Sequence, residues 1–73
     1  MPPRGHELPS ERVTNDLRER IKRGEWQSGE AIPPVKALQE HYQCSAATIH
    51  KAVRALVEEG LLQTRPRWST TVR

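Results

Sequence analysis

Between positions 45 and 54 the chain sets small, hydroxyl and basic side chains at spacings that share one side of a helix. Ala47, His50, Lys51 and Arg54 fall at i, i+3, i+4 and i+7, the rows that line a single helical face. Ser45, Ala46 and Thr48 stand where that helix would begin, Lys36 lies upstream, and Arg65 and Arg67 follow. The chemistry these groups offer is non-covalent. Ammonium and guanidinium groups neutralise phosphates, hydroxyls and an imidazole hydrogen-bond to phosphate or base edges, and a methyl can meet a thymine methyl. No nucleophile–base pair, glycine-rich phosphate loop or carboxylate dyad is present. Glu58 and Glu59 are adjacent, so they do not share a helix face. His41, Cys44 and His50 fit no zinc spacing and lack a fourth ligand. The expectation is binding without catalysis, metal or cofactor.

Composition bounds what could present such a face. At 73 residues the chain makes one domain at most, with 34% apolar residues and no Phe. A core of Leu, Ile, Val and Ala with two Trp leaves room for three short helices and a hairpin, and none for a substrate-sized cavity. The net charge of +3 suits a polyanionic partner, and the segment from Arg65 to Arg73 holds three arginines and no acid. The single Cys44 forms no internal disulfide and fits a reducing, cytoplasmic setting. No stretch approaches the roughly 20 apolar residues of a membrane helix, and no signal peptide is visible, so no membrane partner is expected. Residues 1–9 read as a flexible tail, and 10–73 as the folded domain.

The elements that must position the basic face follow from periodicity. Val13, Leu17 and Ile21 form one apolar stripe over 10–23, with Ser10 as expected N-cap and Gly24 as stop. Trp26 covers the exit of this helix, and 25–30 reads as a turn-rich linker. Pro33–Pro34 delays the second helix to 34–42, striped by Val35, Leu38 and Tyr42 with its hydroxyl at the core edge. Gln43–Cys44–Ser45 is a tight turn, Ser45 the next N-cap, and 46–59 the third helix, closed by Gly60. Ile49, Val53 and Leu56, with Ala52, supply its core face. A short strand over 61–65, a tip at Pro66–Arg67–Trp68 and a return strand over 69–72 complete a hairpin. The fold class expected is mainly α with a small β-hairpin: a three-helix, winged helix-turn-helix.

Two helices joined by a short turn, the second carrying cations opposite its apolar stripe, are the unit that enters a DNA major groove. Over 13–72 the chain resembles the DNA-binding domain of GntR-type transcription regulators. Leu17–Arg–Glu–Arg–Ile–Lys–Arg–Gly–Glu–Trp26 is similar to that family's first helix and exit, and Ser28–Gly29 and Ile32–Pro33 to its connector. Ser45-x-x-Thr48–Ile49, Ala52, Leu56 and Glu59–Gly60–Leu61–Leu62 are similar to its third helix and strand. Leu8–Pro–Ser–Glu–Arg12 also looks like a family box, but it lies too far upstream; the degenerate Ile32–Pro–Pro–Val–Lys36 has the right spacing.

The resemblance implies double-stranded DNA binding as a transcription regulator, by default a repressor. The helix 46–59 would lie in the major groove and the wing 65–69 at the backbone or minor groove. Lys36 then serves bases or phosphate, Ser45 and Thr48 the helix start and phosphates, and Lys51 and Arg54 phosphates. Ala46 stands where relatives carry an arginine base reader, His50 replaces another, and Arg65–Pro–Arg–Trp68 lacks the wing glycine. Losing an arginine–guanine pair forfeits about 1–3 kcal/mol of discrimination, so a weaker or different sequence preference is implied. A palindromic operator and a homodimer on DNA follow if two copies bind with two-fold symmetry. A small-molecule effector would need a C-terminal domain outside this chain. The competing reading is a winged-helix module for protein contact with weak or non-specific DNA binding. The basic face speaks against it, and Trp68 is its one exposed apolar candidate.

Overall fold

The computed structural model describes residues 9–64 and 70–73. Three helices, α1 (Pro9–Lys22), α2 (Val35–Tyr42) and α3 (Ala46–Glu58), precede two short strands, β1 (Leu62–Gln63) and β2 (Thr71–Val72). The strands pair antiparallel, Leu62 opposite Val72 and Gln63 opposite Thr71. The tip at 66–68, with Arg65 and Ser69, lies outside the described residues, as do residues 1–8.

The core is built from the apolar stripes. Val13 and Leu17 of α1, Leu38 of α2, and Ile49, Ala52 and Leu56 of α3 are buried together with Ile32, Leu62 and Val72. Ile21, Trp26, Tyr42 and Cys44 pack half-buried against them. Full burial of a Leu or Ile side chain is worth about 1.5–3 kcal/mol, so Leu17, Leu38, Ile49, Leu56 and Leu62 dominate the folding energy. The largest interface between elements joins α1 to α3. Val53, expected inward, is only half-buried.

Helix ends follow the sequence with small corrections. Pro9 and Ser10 both lie within α1, so Ser10 is not its N-cap as expected. Ser10 instead offers its carbonyl to the Thr14 hydroxyl at 2.7 Å, which satisfies a buried polar group. At the far end, Gly24 takes φ +84°. Its N–H reaches the Ile21 carbonyl and the Glu25 N–H that of Arg20, the paired closure that left-handed geometry permits. Gly60 closes α3 in the same way: its N–H reaches the Val57 carbonyl and the Leu61 N–H that of Leu56. At α2 the left-handed position falls on Gln43, with φ 56°. Its side-chain amide donates to the Glu40 carbonyl at 2.9 Å.

The sheet contains more than the expected hairpin. Ala31 bridges to Thr71, while Gly29 and Ile32 donate to the carbonyls of Val72 and Thr70, and Val72 donates to Glu30. β2 is therefore held on both edges, by β1 and by the stretch before Pro33. The linker read at 25–30 runs directly into this pairing. Among the described residues the two strands comprise Leu62–Gln63 and Thr71–Val72, and positions 65 and 69 of the expected strands lie outside them.

Polar groups fix how α1 meets the other helices. Arg18 Nε donates to Glu59 Oε1 at 2.9 Å and Nη2 to Oε2 at 2.5 Å, while Nη1 reaches Asn15 Oδ1 at 2.7 Å. The Arg18 hydrogen bond holds the Glu59 carboxyl below its ordinary range. At the other end, the Tyr42 hydroxyl donates to Asp16 Oδ2 at 2.5 Å and accepts from Arg20 Nη1 at 3.0 Å. Arg20 also binds Glu25 and lies 4.8 Å over the Trp26 ring.

Burial, then the bond to Asp16, pushes the Tyr42 hydroxyl up to about 12. Because the folded chain holds this proton more tightly, Tyr42 contributes stability that is complete below the unfolded value of about 10. That contribution disappears as pH rises through about 12. Tyr42 is the one tyrosine, so tyrosinate absorbance reads it alone. The folded chain should titrate near 12 and the urea-unfolded chain near 10; coincident curves would contradict the network.

Candidate nucleic-acid interface

The inward stripe of α3 leaves its outer face bare. Ile49, Ala52 and Leu56 have no exposure, whereas Ala47, His50, Lys51 and Arg54 on the opposite rows are exposed. These four line one groove, so the sequence spacing and the folded surface agree. Ser45 caps the helix: its φ is −80° and its side-chain oxygen accepts from the Thr48 N–H at 3.3 Å. The two hydroxyl oxygens lie 3.1 Å apart. The cap fixes where the helix begins and therefore which rotation Ala47 and His50 present.

The remaining expected residues divide. Lys36 is exposed in the first turn of α2, and Ser45 is exposed at the turn between α2 and α3. Ala46 and Thr48 are half-buried, and none of these four lines the groove. Arg65 and Arg67 lie outside the described residues.

The groove also has walls that the sequence did not announce. Opposite α3 stand Thr64 and Thr70, one beyond β1 and one before β2. Pro33, Pro34 and Val35 close the end at α2, and Val53 and Val57 form apolar floor. The half-burial of Val53 reflects this position, between core and groove. The space amounts to about 920 Å³. It is a cleft between elements, open to solvent, and not an enclosed cavity of the kind the chain length excludes. Periodicity locates a helix face, but nothing local marks residues 64 and 70 as facing it.

Charge is distributed unevenly around this cleft. His50, Lys51 and Arg54 are the charged or titratable residues that line it, with no Asp or Glu among the described ones. Lys36, Lys51 and Arg54 have no ion-pair partner among the described residues, whereas Arg18 and Arg20 of α1 are paired to carboxylates. Intramolecular acids thus pair two arginines of the scaffold, while the cations that border the cleft keep their charge. Such a face attracts a phosphate backbone and can hydrogen-bond to it once seated. No helix among the described residues is long and apolar enough to cross a membrane.

Comparisons with known proteins bear on the same region. The mannosyl-D-glycerate transport/metabolism system repressor MngR of Escherichia coli (strain K12) is 37% identical over 60 residues, 82% of this chain and 25% of that protein. The uncharacterized HTH-type transcriptional regulator YisV of Bacillus subtilis (strain 168) is 31% identical over 72 residues, 97% of this chain and 15% of its own length. The chain therefore spans a quarter or less of these curated relatives. Among solved structures, the DNA-binding domain of AraR in complex with operator ORE1 aligns with a TM-score of 0.88 at 27% identity, covering 90% of this chain and 80% of that one. The GntR family of bacterial regulatory proteins matches residues 9–72. With helices, turn and strands in the expected order and that match across them, the chain belongs to the GntR family of bacterial regulatory proteins.

Proposed function

We propose that this chain binds double-stranded DNA as the recognition module of a transcription regulator, with α3 in the major groove. The observation that carries the reading is the exposed set Ala47, His50, Lys51 and Arg54, lining a groove with no Asp or Glu among its described residues, on a helix buried along its other side. A fold of this kind is that of the AraR DNA-binding domain, solved in complex with operator ORE1. Lys51 and Arg54 contact phosphates, His50 a base edge or phosphate, and Ala47 an apolar base group. Lys36, Ser45 and Thr48 approach the backbone beside the start of α3, while Arg65 and Arg67, in the segment joining β1 to β2, add charge at an adjacent backbone or minor groove.

Regulation is read as repression, the role named for MngR. Two copies on a palindromic operator provide the dimeric contact expected of a helix-turn-helix protein, and the activity is non-catalytic and cytoplasmic. Any effector acts through sequence beyond the module. The methyl side chains of Ala46 and Ala47 at the start of α3 favour thymine contacts over guanine readout.

Fluorescence anisotropy on a short mixed-sequence duplex, from about 50 to 200 mM salt, tests this directly. Affinity should fall steeply and log-linearly with salt. Lys51→Ala and Arg54→Ala should each lower the magnitude of the slope by about 0.9. Absence of binding at low salt, or slopes unchanged in both variants, would overturn the reading. Base readout is tested by selection from randomised duplexes. Ala46→Arg should enrich a guanine at one half-site position where the unsubstituted chain shows none, with about 1–3 kcal/mol of discrimination. Identical selected sites for both proteins would contradict a base-facing Ala46.

A further inference from the structure

α3 does not face solvent alone: the cleft it borders has a second polar wall. Thr64 follows β1 and Thr70 precedes β2, so the two residues flank the segment 65–69 at the base of the hairpin. Both line the cleft with His50, Lys51 and Arg54. Thr64 is exposed and Thr70 half-exposed, and neither hydroxyl has a hydrogen-bond partner among the described residues. The site is held firmly. The Thr70 carbonyl accepts from Ile32 N–H at 3.0 Å, and β2 beyond it is bonded to β1 on one edge and to Gly29–Ile32 on the other. Thr70 is therefore tied directly to Ile32 and adjoins Thr71 and Val72, which pair with β1.

Chemically the cleft has cations on one wall, hydroxyls on the other and an apolar floor of Val53, Val57 and Pro34. A sugar–phosphate strand has the matching parts. Its anionic oxygens take charge from Lys51 and Arg54 and hydrogen bonds from hydroxyls, and its deoxyribose carbons can rest on an apolar surface. Resting on the DNA-binding reading above, we propose that Thr64 and Thr70 are DNA-contacting residues. With Lys51 and Arg54 they grip consecutive phosphates of a single strand between α3 and the hairpin base. The cations set attraction and its salt dependence. The threonines, being neutral, fix the position of the strand without releasing counterions.

That division gives a separable signature. Thr64→Val and Thr70→Val keep the branched shape and remove the hydroxyl. On the same duplex each should weaken binding about two- to tenfold, with the salt slope of the unsubstituted chain retained. Thr64→Ser and Thr70→Ser, which keep a hydroxyl, should restore most of the affinity. A second measurement needs no variant: scanning single neutral methylphosphonate links along both strands should show adjacent sensitive phosphates on one strand of each half-site. Valine variants that bind like the unsubstituted chain would overturn the proposal while leaving DNA binding intact, as would sensitive phosphates confined to opposite strands. Failure of the unsubstituted chain to bind any duplex would overturn the DNA-binding reading, and this proposal with it.

Discussion

Everything at the candidate interface depends on α3 being gripped from one side only. Ile49, Ala52 and Leu56 are wholly withdrawn from solvent on a helix packed against α1, α2 and β1, and burial of such side chains is the largest favourable contribution available to a small domain. Exposed ion pairs contribute about 0–1 kcal/mol, too little to hold a helix in place. The apolar face therefore supplies the anchoring, and the outer face carries no structural duty. Lys51 and Arg54 have no ion-pair partner among the described residues and are free to meet an external anion.

The polar contacts have a different task, that of orientation. Arg18 grips Glu59 at the end of α3, while Asp16, Tyr42 and Arg20 tie α1 to the end of α2. Both helices of the helix-turn-helix are thus referred to α1, at opposite ends of the unit. The consequence for charge follows directly. Glu25 of the connector and Glu59 at the end of α3 engage Arg20 and Arg18 of α1, whereas Lys51 and Arg54 on the binding face have no such partner among the described residues.

Much of this was legible in the sequence, for identifiable reasons. The stripes Val13–Leu17–Ile21 and Ile49–Val53–Leu56 announce helices because a 3.6-residue period is a local signal, and Ser45, Gly24 and Gly60 mark ends by capping chemistry that is equally local. The outward set from Ala47 to Arg54 followed by subtraction. What escaped was non-local. The pairing of Gly29–Ile32 with β2 joins stretches some forty residues apart through backbone atoms, which have no side-chain signature. Tyr42 was placed at the core edge, but its partners Asp16 and Arg20 lie on another helix. Thr64 and Thr70 look like ordinary strand residues until the hairpin is folded against α3. Ser10, a good cap by type, lies inside α1, and its carbonyl accepts from the Thr14 hydroxyl.

The central claim is that a single face of α3, with the hairpin base beside it, meets DNA while α1 serves as scaffold. An NMR titration of the isotopically labelled chain with a short duplex at low salt tests this most directly, because every described backbone amide but those of the prolines reports its own surroundings. The account predicts the largest shifts at Ala47, His50, Lys51 and Arg54, with Thr64 and Thr70 following, and small shifts along Asp16, Glu19 and Arg23 of α1 and its exit. Largest shifts on α1, or shifts spread evenly over the surface, would contradict it.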